Sequence, residues 1–433
     1  MVYATIDVLI QVKNKMNHKT TVATPLSFII SLANWLLLIL LIGVLVGSAS
    51  AFFLTALNWV TNYRESNVWI ISLLPLGGLM IGLTYHYYGN NVVKGNNLLL
   101  EEFHKPKQVI PLKMAPLVLF GTLVTHLFGG SAGREGTAVQ MGGAIADQFT
   151  SLFKLTNSER KIIIVMGISA GFASVFGTPL AGAVFALEVM VFLGRTRYAT
   201  IIPSLLVAYV AYYTCHFWNV AHTQYVIPII PKMAIDSIFY TLFCGIVFGL
   251  AAWLFSRLVH FFTGFFKNTI SYPPLRPAVG GVIIALAVWV LGTTKYIGLG
   301  VPIIVDSFTI EQPQYAFALK LLLTTFTLGA GFKGGEVTPL FFVGATLGNL
   351  LCLFIPLPMA LLAGMGFVAV FSGATNTPIA CTIMGMELFG WQCGLYIGLA
   401  CFIAYFFSGS TSIYTSQLQE SPKHKLYAKL KKM

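Results

Sequence analysis

Two glutamates sit where an ordinary apolar stretch has no use for them. Glu135 lies in residues 128–143, FGGSAGREGTAVQMGG, of which six of 16 are glycine. Glu336 lies in residues 329–344, GAGFKGGEVTPLFFVG. Glycine lets backbone come close to a ligand and adopt positive φ. Each stretch turns apolar after its glutamate, which predicts helices beginning near Glu135 and near Thr338, and Pro339 suits the first turn of the second. A helix start offers free N–H groups and a partial positive charge. Two such starts, converging, would bind an anion without a cationic side chain. That chemistry suits a bilayer, where a full charge at mid-span costs roughly 3 kcal/mol or more. A carboxylate in this place can cap its own helix, or it can compete with an anion for the N–H groups. In the second case protonation takes it out of the contest, and one residue links proton and anion movement.

Two further glutamates, Glu188 and Glu387, each follow a T-P-L/I-A run by ten residues. They read as residues at a helix end or interface. Their neighbourhoods align without gaps: residues 171–190, GFASVFGTPLAGAVFALEVM, against residues 370–389, VFSGATNTPIACTIMGMELF, with Phe172 on Phe371, Pro179 on Pro378 and Glu188 on Glu387. Upstream and in the same order, residues 133–144 align with 334–345, placing Glu135 on Glu336 and Thr137 on Thr338. Both alignments are offset by about 200 residues, the signature of two homologous halves in a transporter. Glu101 and Glu102 precede a polar stretch and are expected to be solvated.

The elements that carry these residues are apolar spans. The chain has 433 residues, 57% hydrophobic and 9% charged, where a soluble domain carries about 25% charged residues. It is an integral membrane protein. Residues 29–59 are long enough to span a bilayer with tilt, and 73–85, 115–128, 201–213, 238–255, 279–291 and 396–407 read similarly. Residues 98–100 and 340–351 stop early, as half-helices at transport sites do. Residues 1–27 are expected to be a cytoplasmic segment, too polar for a cleaved signal. Residues 28–220 form the first repeat, 221–412 the second, and 413–433 a C-terminal helix with a basic tail.

The net charge of +12 does not point to nucleic acid. Lys and Arg are assigned to tails and short loops, without an aromatic platform. Lys13, Lys15 and Lys19 precede the first span, and Lys423, Lys425, Lys429, Lys431 and Lys432 follow the last, so both termini are expected in the cytoplasm. The six cysteines lie in apolar surroundings with no C-x-x-C pair, as small core residues. No metal site and no cofactor is expected. No H-E-x-x-H or D-x-x-D run suggests an enzyme.

The motifs resemble those of the CLC family of anion channels and transporters. GREG at 133–136 resembles its selectivity motif, residues 171–188 the helix pair that follows, and residues 334–339 its G-x-F-x-P motif. Tyr414 resembles the anion-coordinating tyrosine that opens the last helix. The resemblance spans roughly residues 30–425. It implies an all-α polytopic fold of two inverted-topology helical repeats, with half-helices meeting at a mid-membrane anion site, in a homodimer.

Departures point to one branch. Chloride members carry G-S-G-I-P in their first motif; here residues 93–97 read VKGNN, without the chloride-coordinating serine. Proton-coupled chloride members carry a second glutamate where this chain has Val189, so the proton's inner route must differ. The combination of GNN, GREGT and GEVTP resembles the fluoride/proton antiporter branch. That implies coupling through Glu135 and Glu336, and anion binding by Thr338, Tyr414, Asn96, Gly95, Val337 and Gly136. Fluoride is small and strongly hydrated, so hard donors must replace its shell. Hydroxyls, amides and protonated carboxyls can do so. The expected function is fluoride export in exchange for protons, in a bacterial plasma membrane, without nucleotide regulation. The alternative is a chloride or other anion channel or exchanger. Lys94 either snorkels to the interface or draws anions to the inner mouth.

Overall fold

A computed structural model describes residues 25–190, 196–418 and 422–430. The segments 1–24 and 431–433, with Lys13, Lys15, Lys19, Lys431 and Lys432, lie outside the described residues. Among the described residues the chain is helical, with a single isolated β-bridge between Gly133 and Gly335. In order, the helices are α1 (Pro25–Ser66), α2 (Leu74–Tyr88), α3 (Asn96–His104), α4 (Met114–Leu127), α5 (Glu135–Leu152), α6 (Asn157–Phe176), α7 (Pro179–Val189) and α8 (Thr196–Phe217). Then follow α9 (Ile235–Thr269), α10 (Leu275–Leu291), α11 (Val301–Asp306), α12 (Ala316–Gly329), α13 (Val337–Leu351), α14 (Met359–Thr375), α15 (Pro378–Phe389), α16 (Gly394–Phe407) and α17 (Pro422–Leu430).

Among the described residues, four helical stretches are long and apolar enough to cross a bilayer: Ile29–Ser66, Val68–Tyr88, Tyr198–Phe217 and Ile235–Thr269. Most of the others have 10–17 residues. At about 1.5 Å per residue many of these fall short of a ~30 Å hydrocarbon core. Short helices whose ends stop inside protein must have those ends satisfied by protein.

The order of elements repeats. Helices starting at Leu74, Met114, Glu135, Asn157 and Pro179 have counterparts starting at Leu275, Ala316, Val337, Met359 and Pro378. The halves are inverted, and the two outlying glutamates make this visible. Glu188, near the end of α7, accepts from the N–H groups of Ile379 (3.1 Å) and Ala380 (2.8 Å) at the start of α15. Glu387, near the end of α15, accepts from Leu180 (3.0 Å) and Ala181 (2.7 Å) at the start of α7. Each helix end caps the other's beginning, which requires antiparallel helices related by a two-fold axis. The matched rings of Phe172 and Phe371 stack beside that axis at 6.4 Å. The expectation of a helix-end role for both glutamates holds.

The sequence reading of the charges needs correction. Glu102 is 5% exposed, not solvated. Its Oε2 accepts from the Lys107 and Gln108 amides and pairs with Arg160 at 3.1 Å. Arg160 also forks onto Asp147, with Nε–Oδ1 2.8 Å and Nη2–Oδ2 2.7 Å. This buried knot ties α3 to α5 and α6, and so fixes α3, whose other end reaches the candidate site. Arg64, Lys320 and Lys423 are buried too, although basic residues were assigned to tails and loops. Apolar stems and nearby carbonyl or side-chain oxygen acceptors let such cations sink into a helical bundle, and composition does not reveal them.

Candidate functional site

The starts of α5 and α13 are sewn together by their glycine loops. Gly133 N–H donates to the Gly335 carbonyl at 2.6 Å, and Gly335 N–H to the Gly133 carbonyl at 2.8 Å. A Cβ on Gly335 would stand 2.7 Å from the Gly136 nitrogen. Only glycine lets the two backbones approach this closely.

This pairing also sets the repeat register. Glu135 is the first residue of α5, whereas Glu336 precedes α13, which begins at Val337. The structural counterpart of Glu135 is therefore Val337, and that of Glu336 is Arg134. The ungapped sequence match was one residue out of register. On a helix one residue is about 100° of rotation, so the two carboxylates take different places.

Glu135 is 1% exposed and reaches across to α13. Its Oε2 accepts from the Thr338 N–H at 3.0 Å, and its Oε1 from the Thr338 hydroxyl at 2.5 Å. The Arg134 amide also donates to Oε2 at 3.2 Å, and Arg134 Nε stands 3.5 Å from Oε1. So the carboxylate of one half occupies the helix start of the other. Any anion using those donors must displace it.

Glu336 flanks the same spot from another side. A Cβ on Gly136 would lie 3.7 Å from Glu336 Oε2 and 3.2 Å from Asn96 Nδ2. Glu336 Oε2 and Asn96 Oδ1 are both inaccessible and have no hydrogen-bond partner among the described residues. Such atoms cost about 1–3 kcal/mol each when left unpaired. They are the groups that a proton on Glu336, or a bound polar species, would satisfy. Asn96 arrives because Gly95 takes φ +57° and turns the chain into α3. Tyr414 is buried and shares a small cavity with Asn96, Val139, Ile168, Phe185 and Val189. Thr338 and Val337 are buried in the first turn of α13.

All eight residues singled out from sequence thus fall in one region: Glu135 bonds to Thr338, Gly136 lies beside Glu336 and Asn96, and Asn96 lines one cavity with Tyr414. Tyr414 departs from expectation in one respect. It does not open the last helix; it lies in irregular chain, and α17 starts only at Pro422. At the other end, a vestibule of about 900 Å³ leads to Arg134 past Arg64, Asn62 and Lys295. Sequence reasoning passed over Arg134 as a partner of Glu135, although GREG places it next in line. Lys94 pairs with Glu101 at 2.7 Å, both partly exposed, which offsets the field an anion lure would need.

A family model described as voltage gated chloride channel matches residues 77–409. The chain is 50% identical over 399 residues to the chloride/fluoride channel protein of Pseudomonas syringae pv. tomato, covering 91% of this chain and 88% of that one. It is 29% identical over 344 residues to the H+/Cl− exchange transporter of Cronobacter sakazakii, covering 72% of each. Its structure is similar to the crystal structure of a CLC-type fluoride/proton antiporter, with a TM-score of 0.86, 35% identity, and coverage of 91% of this chain and 99% of that one. A slow cyanobacterial Cl−/H+ antiporter shares the fold with a TM-score of 0.77 at 20% identity, over 92% and 99% of the two chains. Four signature regions in order, two inverted helical repeats and these matches lead to one conclusion: the chain belongs to the voltage gated chloride channel family, the CLC anion channels and transporters.

Proposed function

We propose that this family member is a fluoride/proton antiporter that exports fluoride and admits protons. The observation that carries this reading is the Glu135 carboxylate seated on the N–H and hydroxyl of Thr338. Ionised, it holds the donors that a hard anion needs. Protonated, it is a weaker acceptor and releases them. A fluoride arriving from the Tyr414 side then competes with the ionised carboxylate for these donors, and a proton arriving by the vestibule decides the contest, which couples their movements.

Glu336 supplies the second half of the cycle. Its unpartnered Oε2 beside Asn96 and Gly136 suits a neutral carboxyl, which donates a hydrogen bond to fluoride. Thr338, Asn96 and Tyr414 add hard donors, and the Gly95, Gly136 and Val337 backbones close the wall. Two copies pair in a plasma membrane, with the Tyr414 end and both termini toward the cytoplasm.

The test is halide flux from proteoliposomes of the purified protein, followed with fluoride- and chloride-selective electrodes. Fluoride efflux well above chloride efflux is expected. Equal rates for both ions, or chloride alone, would assign the chain to the chloride-handling members.

A further inference from the structure

The C-terminal helix looks like a polar tail in sequence, yet it buries an amine. Lys423 is fully inaccessible. Its Nζ donates to Asn376 Oδ1 at 2.5 Å and to Ser408 Oγ at 2.7 Å, over the ring of Tyr405 at 4.9 Å. No carboxylate is among these partners. Burial alone pushes the amine down to about 7. A buried amine without a carboxylate partner among the described residues costs several kcal/mol of desolvation when charged, so the place it occupies should matter.

The bonds from Lys423 lead to the candidate site. Asn376 ends α14 in the left-handed conformation, φ +62°. Its Nδ2 donates to Gln417 Oε1 at 3.1 Å. Gln417 Nε2 in turn holds the carbonyls of Thr375 (3.0 Å) and Val189 (3.4 Å), and the Gln417 N–H donates to the carbonyl of Tyr414 at 3.3 Å. On the other flank Ser416 N–H donates to Asn97 Oδ1 at 2.9 Å, and Ser416 Oγ to Glu101 at 3.1 Å. The irregular segment carrying Tyr414 is therefore strung between α3 and the end of α14. Lys423 secures the second anchor through Asn376.

We infer that Lys423 is a positioning residue for transport, a latch by which α17 holds Tyr414 beside Asn96 at its end of the pathway. The inference rests on the reading of Tyr414 as an anion contact. It gives α17 a role in substrate affinity that neither its polarity nor its distance along the chain suggests.

Two variants of the full-length protein test it, Lys423→Met and Gln417→Met; the second breaks the middle of the chain of bonds without touching the amine. The first measurement is hydrogen exchange of the amides in residues 412–418 in detergent or nanodiscs. Losing one charge-assisted bond should speed exchange there roughly tenfold or more, with α5 and α13 unaffected. The second is the concentration dependence of transport for whichever halide the wild type carries. KM should rise several-fold while the maximal rate is kept, and Tyr414→Phe combined with Lys423→Met should add little to either single change. Unchanged exchange in 412–418 would overturn the latch. Faster exchange with an unchanged KM would overturn its role in transport. Failure of the wild type to carry fluoride would strike the proposed substrate alone, because both measurements can be made with chloride.

Discussion

Thr338→Val keeps the shape of the side chain and deletes one donor. In the structure that donor lies 2.5 Å from Glu135 Oε1, while the neighbouring N–H, 3.0 Å from Oε2, is untouched. A hydrogen bond to a charged group is worth about 1.5–3 kcal/mol, and each ~1.4 kcal/mol is tenfold in an equilibrium constant. The hold of Glu135 on α13 should therefore weaken roughly 10- to 100-fold. A fluoride at the same donors loses the same hydroxyl. Chloride is larger and more weakly hydrated, and depends less on it. Because Glu135 and fluoride lose the same hydroxyl, the two losses largely cancel and the fluoride KM should change little, whereas the chloride KM should fall up to about tenfold, so the fluoride-over-chloride selectivity ratio should fall. Initial efflux rates from proteoliposomes over a range of internal concentrations give both constants. Thr338→Ser, which restores the hydroxyl, should recover most of the ratio. An unchanged ratio in Thr338→Val would show that the hydroxyl points away from the ion during transport.

Glu135→Gln cannot titrate, so a fluoride gradient should no longer move protons, whether fluoride flux persists or stalls; wild-type proton movement would sink its role as the coupling residue. Glu336→Ala should slow coupled exchange while the protein still elutes as a folded species; a normal coupled rate would leave Glu336 as a helix cap. Glu188→Gln and Glu387→Gln each weaken two charge-assisted bonds at the antiparallel contact of α7 and α15. Each should lower stability by about 1–3 kcal/mol in thermal melts, with the proton-to-anion ratio intact. A changed ratio at unchanged stability would place them on the transport path instead.

Much of this could be read before any coordinates. Glycine-rich loops running into apolar helices announce starts of helices at Glu135 and Val337, because few other sequences tolerate backbone approach and then immediate helix. The threonine-proline pairs mark the starts of α7 and α15 in the same way. What escaped was register and depth. The ungapped match of Glu135 with Glu336 was off by one, because the loop bridge pairs Gly133 with Gly335 and no side-chain similarity reports that bridge. Glu102 and Lys423 were read as surface charges because composition sees a charge and not its partners. Tyr414 was placed at a helix start because the motif gives its identity, whereas the irregular chain after it is held by Gln417 and Ser416, whose roles exist only in three dimensions.

The proposed coupling rests on competition between fluoride and the Glu135 carboxylate for the donors of Thr338, decided by a proton on Glu135, so that each ion drives the other. The most direct test seals the purified protein into liposomes with high internal fluoride, no proton gradient and the membrane potential clamped, and follows external pH. Outward fluoride flow should pull protons inward against the gradient they build, so the external solution turns alkaline, and Glu135→Gln should abolish the signal. Fluoride efflux without any proton movement would contradict the account and make the chain a channel.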